Sequence, residues 1–112
     1  MIRAATLDVA LCLRHEDLEL LKSIVQNFVP LSSVIIYGSR CNGTARDISD
    51  IDLLLLDPSI TQLNVSELRE QLDESNIGPR VDLHTADELP DGWIQGILAA
   101  GVRLDSAVTA DC

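Results

Sequence analysis

The 112-residue length fits one ordinary domain with a single core and is too short for two. A hydrophobic content of 46% excludes a disordered chain. The formal net charge of −10 argues against an independent grip on nucleic acid, because the phosphates would be repelled. We therefore expect a single domain over 1–112, with its core over about 16–104 and a frayed tail over 105–112.

The distribution of apolar residues predicts a chain that does not cross a membrane. Asp8 and Arg14 interrupt the first apolar stretch before it reaches signal-peptide length, and no segment approaches the roughly 20 apolar residues that span a bilayer. The cysteines are odd in number and lack metal-ligand spacing, so we interpret Cys12, Cys41 and Cys112 as reduced thiols. These observations together predict a cytoplasmic protein.

The first predicted helix covers residues 16–28, with apolar side chains at helical spacing: Leu18, Leu21, Val25 and Phe28. Acidic residues in its first turn suit the helix dipole, and Pro30 ends it. A buried strand over 33–37 follows, since the apolar run there stops at Gly38.

Strands and helices alternate along the rest of the chain. The predicted elements are a strand over 51–56, a helix over 65–73, a strand over 80–84, a helix over 91–100 and an edge strand over 102–104. In the last helix, Trp93 is expected in the core and Gly101 as the C-terminal cap. This order predicts an α/β (α+β) fold in which helices pack on a small mixed β-sheet.

The residues that carry chemistry lie around the first two strands. Gly38 and Ser39 follow one strand, where backbone N–H groups and a hydroxyl can hold phosphate oxygens. Asp50 and Asp52 open the next strand and point to the same side if the chain is extended there. Because like charges on one face repel, a divalent metal is the usual remedy. Asp82 supplies a third carboxylate on a third strand.

Each of these signals also has a simpler interpretation. A Gly-Ser pair alone is usually a turn, and Asp82 alone could decorate a half-exposed strand. The Gly-Ser pair after one strand, followed by the aspartate pair that opens the next, is far more specific. His84 shares a face with Asp82, and we interpret it as solvent-facing rather than as an aid to proton movement.

The segments from Gly38-Ser39-Arg40 to Asp50-Ile51-Asp52 resemble the signature of the polymerase-β-type nucleotidyltransferase superfamily. More narrowly, the chain resembles the minimal nucleotidyltransferases (MNT proteins), which are encoded beside a helical HEPN partner. The later segment Arg80-Val81-Asp82-Leu83 also fits this family. The chain departs from the pattern at Cys41-Asn42, where the family usually has Ala-Arg, and Arg40 and Arg46 are possible substitutes for the lost cation.

The resemblance implies a polymerase-β-like fold that moves a nucleoside monophosphate, AMP from ATP, to a hydroxyl acceptor with release of pyrophosphate. Gly38, Ser39 and Arg40 would bind the nucleotide phosphates. Asp50, Asp52 and Asp82 would be the catalytic residues and the ligands of two Mg²⁺ ions, with Asp82 also acting as the base.

The resemblance further implies a partner, a HEPN toxin whose tyrosine is adenylylated by an MNT antitoxin. Two alternatives stay open at this point. One is a small-molecule nucleotidyltransferase of the aminoglycoside type, whose acceptor pocket comes from a partner chain. The other is a non-catalytic antitoxin that acts by binding alone. The acceptor, the base preference and the oligomeric state do not follow from the sequence.

Overall fold

Residues 10–38 and 50–110 are described in a computed structural model of the chain. Its helices are α1 (His15–Val25), α2 (Gln62–Asp73) and α3 (Asp91–Ala100). Its strands are β1 (Ala10–Cys12), β2 (Val34–Tyr37), β3 (Ile51–Leu55), β4 (Val81–Thr85), β5 (Val102–Arg103) and β6 (Val108–Ala110). Short 3₁₀ turns lie at Leu31–Ser33, Ala86–Glu88 and Leu104–Ser106.

The central sheet has the strand order β4-β3-β2-β5. The two inner strands, β3 and β2, run antiparallel, whereas β3 and β4 run parallel. A parallel pair needs a crossover connection, and α2 provides it between β3 and β4. The predicted mixed sheet with helices packed on it is therefore confirmed.

One face of the sheet forms the main core. Ile51, Leu53 and Leu55 alternate along β3 onto this face and are 0–1% exposed. Helices α1 and α2 cover it with buried side chains spaced at three to four residues: Leu18, Leu21 and Val25 from α1, and Val65, Leu68 and Leu72 from α2. Thr61 caps α2 by accepting a hydrogen bond from the Asn64 backbone N–H at 3.1 Å.

Among the described helices, α3 is the one that covers the opposite face. Its smaller apolar cluster consists of Ile97 from the helix with Ile35 and Leu54 from the strands. Trp93 is 67% exposed, so the prediction that it lies in the core is wrong. The reason is that a single helix buries one narrow stripe against a sheet, and in α3 that stripe centres on Ile97.

Gly101 ends α3, as predicted, although its φ of −85° lies outside the left-handed region. A Cβ at this position would lie 2.5 Å from Ile35 Cγ2 and 2.9 Å from the Ile36 carbonyl oxygen. Glycine is thus required because the chain passes close against β2 on its way into β5.

The segment predicted as a frayed tail is ordered as far as Ala110. Leu104 and Ala107 are buried, Lys22 Nζ donates to the Ala107 carbonyl oxygen at 3.0 Å, and β6 pairs in parallel with β1. The expectation of a frayed segment is therefore wrong for these residues, because apolar side chains anchor them to the core. Residues 111–112 lie outside the described part of the chain.

Cys12 on β1 is disulfide-bonded, which corrects the prediction of three reduced thiols. An odd number of cysteines prevents all of them from pairing within one chain, but it still allows one bond. Within the described ranges, no helix combines the length and the apolar character needed to cross a membrane.

Candidate active site

The pairing of strands places two of the predicted aspartates side by side. In the parallel pair, Asp52 of β3 lies opposite Asp82 of β4. In the antiparallel pair, Tyr37 at the end of β2 lies opposite the same Asp52. Paired residues on neighbouring strands project to the same face, so Tyr37, Asp52 and Asp82 form one row across the sheet.

This row lies on the face that α1 and α2 leave uncovered. The neighbours of the two aspartates along the strands, Ile51 and Leu53 in β3 and Val81 and Leu83 in β4, point into the main core. Asp52 and Asp82 are both half-buried. The apolar alternation of each strand thus fixes the direction of its carboxylate.

Asp50 directly precedes β3 and is exposed. Its charge acts on Asp52, since it is among the causes that raise the pKa of the Asp52 carboxyl. Of the three predicted carboxylates, the structure therefore pairs Asp52 with Asp82 and leaves Asp50 nearer the solvent at the amino end of the same strand.

The environment of Asp52 disfavours the ionised form of its carboxyl. Burial raises the pKa of its carboxyl, and the charges of Asp82 and Asp50 raise it further, while His84 acts weakly in the opposite direction. Burial is also the main cause that raises the pKa of the Tyr37 hydroxyl, and the charges of Asp52 and Asp82 raise it further. A bound cation would relieve this repulsion.

Gly38 lets the chain turn beside Asp52. Its φ of +85° falls in the left-handed region, a backbone conformation that residues with a Cβ rarely adopt. A Cβ added there would collide with the Asp52 carboxylate oxygen Oδ2. The residue must therefore be glycine on two grounds, one of conformation and one of space.

His84 follows Asp82 on the same face of β4, and its Nε2 lies 3.5 Å from Asp82 Oδ2. Its side chain is 33% exposed. The separation exceeds that of an ordinary hydrogen bond, and an ion pair forms only when the imidazole is protonated.

The chain matches the family model "Polymerase beta, Nucleotidyltransferase" over residues 19–107. This chain belongs to that family. It is 36% identical over 84 residues to a protein of Haemophilus influenzae (strain ATCC 51907 / DSM 11121 / KW20 / Rd) described as a probable protein adenylyltransferase, MntA. That match covers 74% of this chain and 70% of the relative.

Two solved structures share the fold of this nucleotidyltransferase. A protein solved as a minimal nucleotidyltransferase is 27% identical, with a TM-score of 0.62 and coverage of 78% of this chain and 88% of the other. A toxin–antitoxin crystal structure with AMP-PNP is 22% identical, with a TM-score of 0.63 and coverage of 81% and 73%. The expected polymerase-β-like fold is confirmed.

The donors of the nucleotidyltransferase suit a hard divalent cation, although the described ranges hold no group of three His, Cys, Asp or Glu residues close enough to bind one as placed. Carboxylate oxygens are the preferred ligands of Mg²⁺, which keeps several waters and needs only one or two carboxylates. Burial is the main cause that raises the pKa of Asp52, and the charges of Asp82 and Asp50 add to it; a bound cation would offset both effects. On these grounds the residues fit the metal.

Two predicted nucleotide-binding residues, Ser39 and Arg40, lie outside the described residues, and Gly38 is the last described residue before them. Sequence reasoning missed Tyr37 as a member of the row. The signal was available, because Tyr37 and Asp52 flank the same connection and antiparallel pairing brings such flanking residues opposite each other.

Proposed function

We propose that this nucleotidyltransferase moves AMP from ATP to a hydroxyl of a protein partner and thereby acts as an antitoxin. The observation that carries the proposal is the placement of Asp52 opposite Asp82 on an open sheet face, directly beside Gly38. The description of the Haemophilus influenzae relative as a probable protein adenylyltransferase supports the reaction type and the protein acceptor.

Each residue has a distinct role in this proposal. Gly38, with Ser39 and Arg40, holds the β- and γ-phosphates of ATP. Asp50, Asp52 and Asp82 would hold Mg²⁺, which would neutralise phosphate charge and orient the leaving group. Asp82 accepts the proton of the acceptor hydroxyl.

The reaction balances as an in-line displacement. The acceptor oxygen forms a bond to the α-phosphorus of ATP while the bond from that phosphorus to the bridging oxygen of the β-phosphate breaks. The hydroxyl proton passes to an Asp82 carboxylate oxygen, and pyrophosphate leaves. Because the Asp82 side chain is 40% exposed, an acceptor can approach it from solvent.

The acceptor that we propose is a tyrosine of a HEPN toxin, as the family resemblance implies. The described elements are three helices, a four-stranded sheet, the β1–β6 strand pair and short connections, and in this proposal the partner supplies its own acceptor surface. A toxin–antitoxin complex with AMP-PNP shares this fold, which is compatible with the proposal.

The test incubates the protein with Mg²⁺, α-labelled ATP and the product of the neighbouring gene. We expect label on a tyrosine of that product, and loss of label with the double variant Asp50→Asn/Asp52→Asn. The matched control is Asp73→Asn, an equal change of charge on the exposed surface of α2. Label on an aminoglycoside instead of the protein would favour the small-molecule alternative. If the double variant transfers no label but still neutralises the partner, the result would favour an antitoxin that acts by binding alone.

A further inference from the structure

Tyr37, Asp52 and Asp82 are called the catalytic row below. A cavity of about 480 Å³ lies at the other end of the sheet from this row. Its lining starts at Leu55, the last residue of β3, and at Thr85, the last residue of β4. Asp52 and Asp82 lie three residues upstream on the same two strands, which corresponds to roughly 10 Å of extended chain. The cavity and the candidate active site are thus separate sites on one pair of strands.

The path of the chain explains why a cavity opens there. After β3 the chain turns to α2 on the main-core face, whereas after β4 it turns to α3 on the opposite face. In sheets with parallel strands, a crevice forms outside the carboxyl ends wherever neighbouring connections leave to opposite faces, and ligands bind in such crevices. The cavity is lined by residues of the two diverging connections, 56–60 and 85–88, and by residues of α2, among them Val65 and Arg69.

The volume points to an organic ligand rather than to a bare ion. Pockets for small molecules typically span about 300–1,000 Å³ and combine apolar walls with a few polar groups. Here the apolar wall comes from Leu55, Leu56, Ile60 and Val65. This wall would hold a hydrocarbon segment of the ligand.

The charged side chains that line the cavity favour a cationic ligand. Asp57, Asp87 and Glu88 line the cavity, against the single guanidinium of Arg69. That guanidinium is already engaged, since Nη2 donates to the Leu83 carbonyl oxygen at 2.8 Å and to Glu88 Oε1 at 2.9 Å. The lining therefore keeps an excess of negative charge and would repel a phosphate.

The two carboxylates at the connections are held in defined positions. Asp57 accepts hydrogen bonds from the Ser59 backbone N–H at 2.9 Å and from Ser59 Oγ at 2.6 Å, and Asp87 accepts one from Thr85 Oγ1. The bonds from Ser59 lower the pKa of Asp57, so that carboxyl stays ionised at neutral pH. A carboxylate has room for further donors beside those it already accepts.

We propose that this cavity is a second binding site, specific for a linear organic diamine or polyamine. Its methylene chain lies against the apolar wall and its ammonium groups bind Asp57 and Asp87. The site does not depend on the proposed transfer reaction, because it shares no residue with the catalytic row.

The test is isothermal titration calorimetry in buffer with EDTA and without nucleotide, using 1,8-diaminooctane, 1,4-diaminobutane and 1,8-octanediol as probes. We expect one saturable site for 1,8-diaminooctane and at least about tenfold weaker binding of the shorter diamine, because four fewer methylenes contact the wall. The diol should bind at least about tenfold more weakly as well, because it lacks both charges.

Variants separate the cavity from the general acidity of the chain. Asp57→Asn and Asp87→Asn should each weaken 1,8-diaminooctane by at least about fivefold, whereas Asp73→Asn, the same change outside the cavity, should alter it by less than about twofold. The catalytic variant Asp52→Asn should bind the diamine as the wild type does, so a failure of this proposal is distinguishable from a failure of the transfer reaction. Equal weakening by Asp73→Asn, or no saturable binding of the three probes, would overturn the proposal.

An NMR titration that follows the amide chemical shifts of the wild-type protein tests the site without depending on the folding of any variant. On addition of 1,8-diaminooctane the largest changes should fall in 56–60 and 85–88. Changes centred on Asp50, Asp52 and Asp82 would place the diamine at the catalytic row and would contradict the proposal.

Discussion

The two faces of the central sheet differ in what they bury and in what they offer. The face under α1 and α2 carries an unbroken apolar core, and the face under α3 carries a three-residue apolar cluster beside the row of Tyr37, Asp52 and Asp82. Neighbouring residues of one strand serve the two faces in alternation. If the proposed function is right, adjacent side chains of one strand serve stability and chemistry, and variants of adjacent residues can separate the two.

The largest effect is expected at Asp82 on the open face. Asp82→Asn removes the proposed proton acceptor and should lower the rate of adenylyl transfer by about 10²–10⁴-fold. ATP affinity should change far less, since Asp50 and Asp52 remain. Single-turnover kinetics with separately measured ATP binding checks this. A variant that loses ATP binding in proportion to its rate would show that Asp82 acts only as a ligand.

The next effect is expected at Leu53, which is 0% exposed on the core face. Leu53→Ala should lower the free energy of unfolding by about 2–5 kcal/mol, because it leaves a cavity between the sheet and its helices. Urea denaturation measures the change. The fraction of the variant that stays folded should transfer AMP at the wild-type rate, and a slower rate per folded molecule would mean that the two faces are not independent.

The third effect is expected at Gly38, which lies beside Asp52. Gly38→Ala should lower the free energy of unfolding by about 1–3 kcal/mol, because alanine is strained at a positive φ. A further loss should come from the contact of the added Cβ with the Asp52 carboxylate. A double-mutant cycle measures the second part. In an Asp52→Ala background the carboxylate is gone, so the cost of Gly38→Ala should shrink to the conformational part. An unchanged cost would show that the two side chains do not meet.

The smallest effect is a change in pH dependence at Asp52. Because its pKa is raised in the folded protein, the native state holds this proton more tightly than the unfolded chain does. In metal-free buffer, stability should therefore fall as the pH rises from the ordinary aspartate pKa through the raised one. Urea midpoints of Asp52→Asn should lack this fall and should exceed those of the wild type at neutral pH. Asp73→Asn serves as the control and should retain the fall.

The strands of the central sheet and the direction of the aspartates on them were predictable from the sequence, because both depend on strong local patterns. The alternation in Ile51-Asp52-Leu53 and in Val81-Asp82-Leu83 fixes which way each carboxylate points. The family and the nucleotidyltransferase activity predicted from Gly38-Ser39 and the aspartate pair are confirmed.

Other features depend on what covers a residue, and a local pattern does not contain that information. The spacing of Trp93 with Ile97 is helical, but α3 is the one helix in the described ranges that lies on this side of the sheet, and the indole faces solvent. The order of the segment after Leu104 depends on contacts with β1 and α1, which are remote in sequence. The proposed roles of the nucleotide-binding and catalytic residues remain predictions: Gly38, Ser39, Arg40, Asp50, Asp52 and Asp82.

The pairing of β1 with β6 has a kinetic consequence. Ala10 lies opposite Val108, so this two-stranded sheet closes a loop that contains almost the whole chain. Contacts between residues so distant in sequence form slowly, because the entropy of closing the loop must be lost before any contact compensates for it. The strand pair should therefore be among the last parts to assemble during folding.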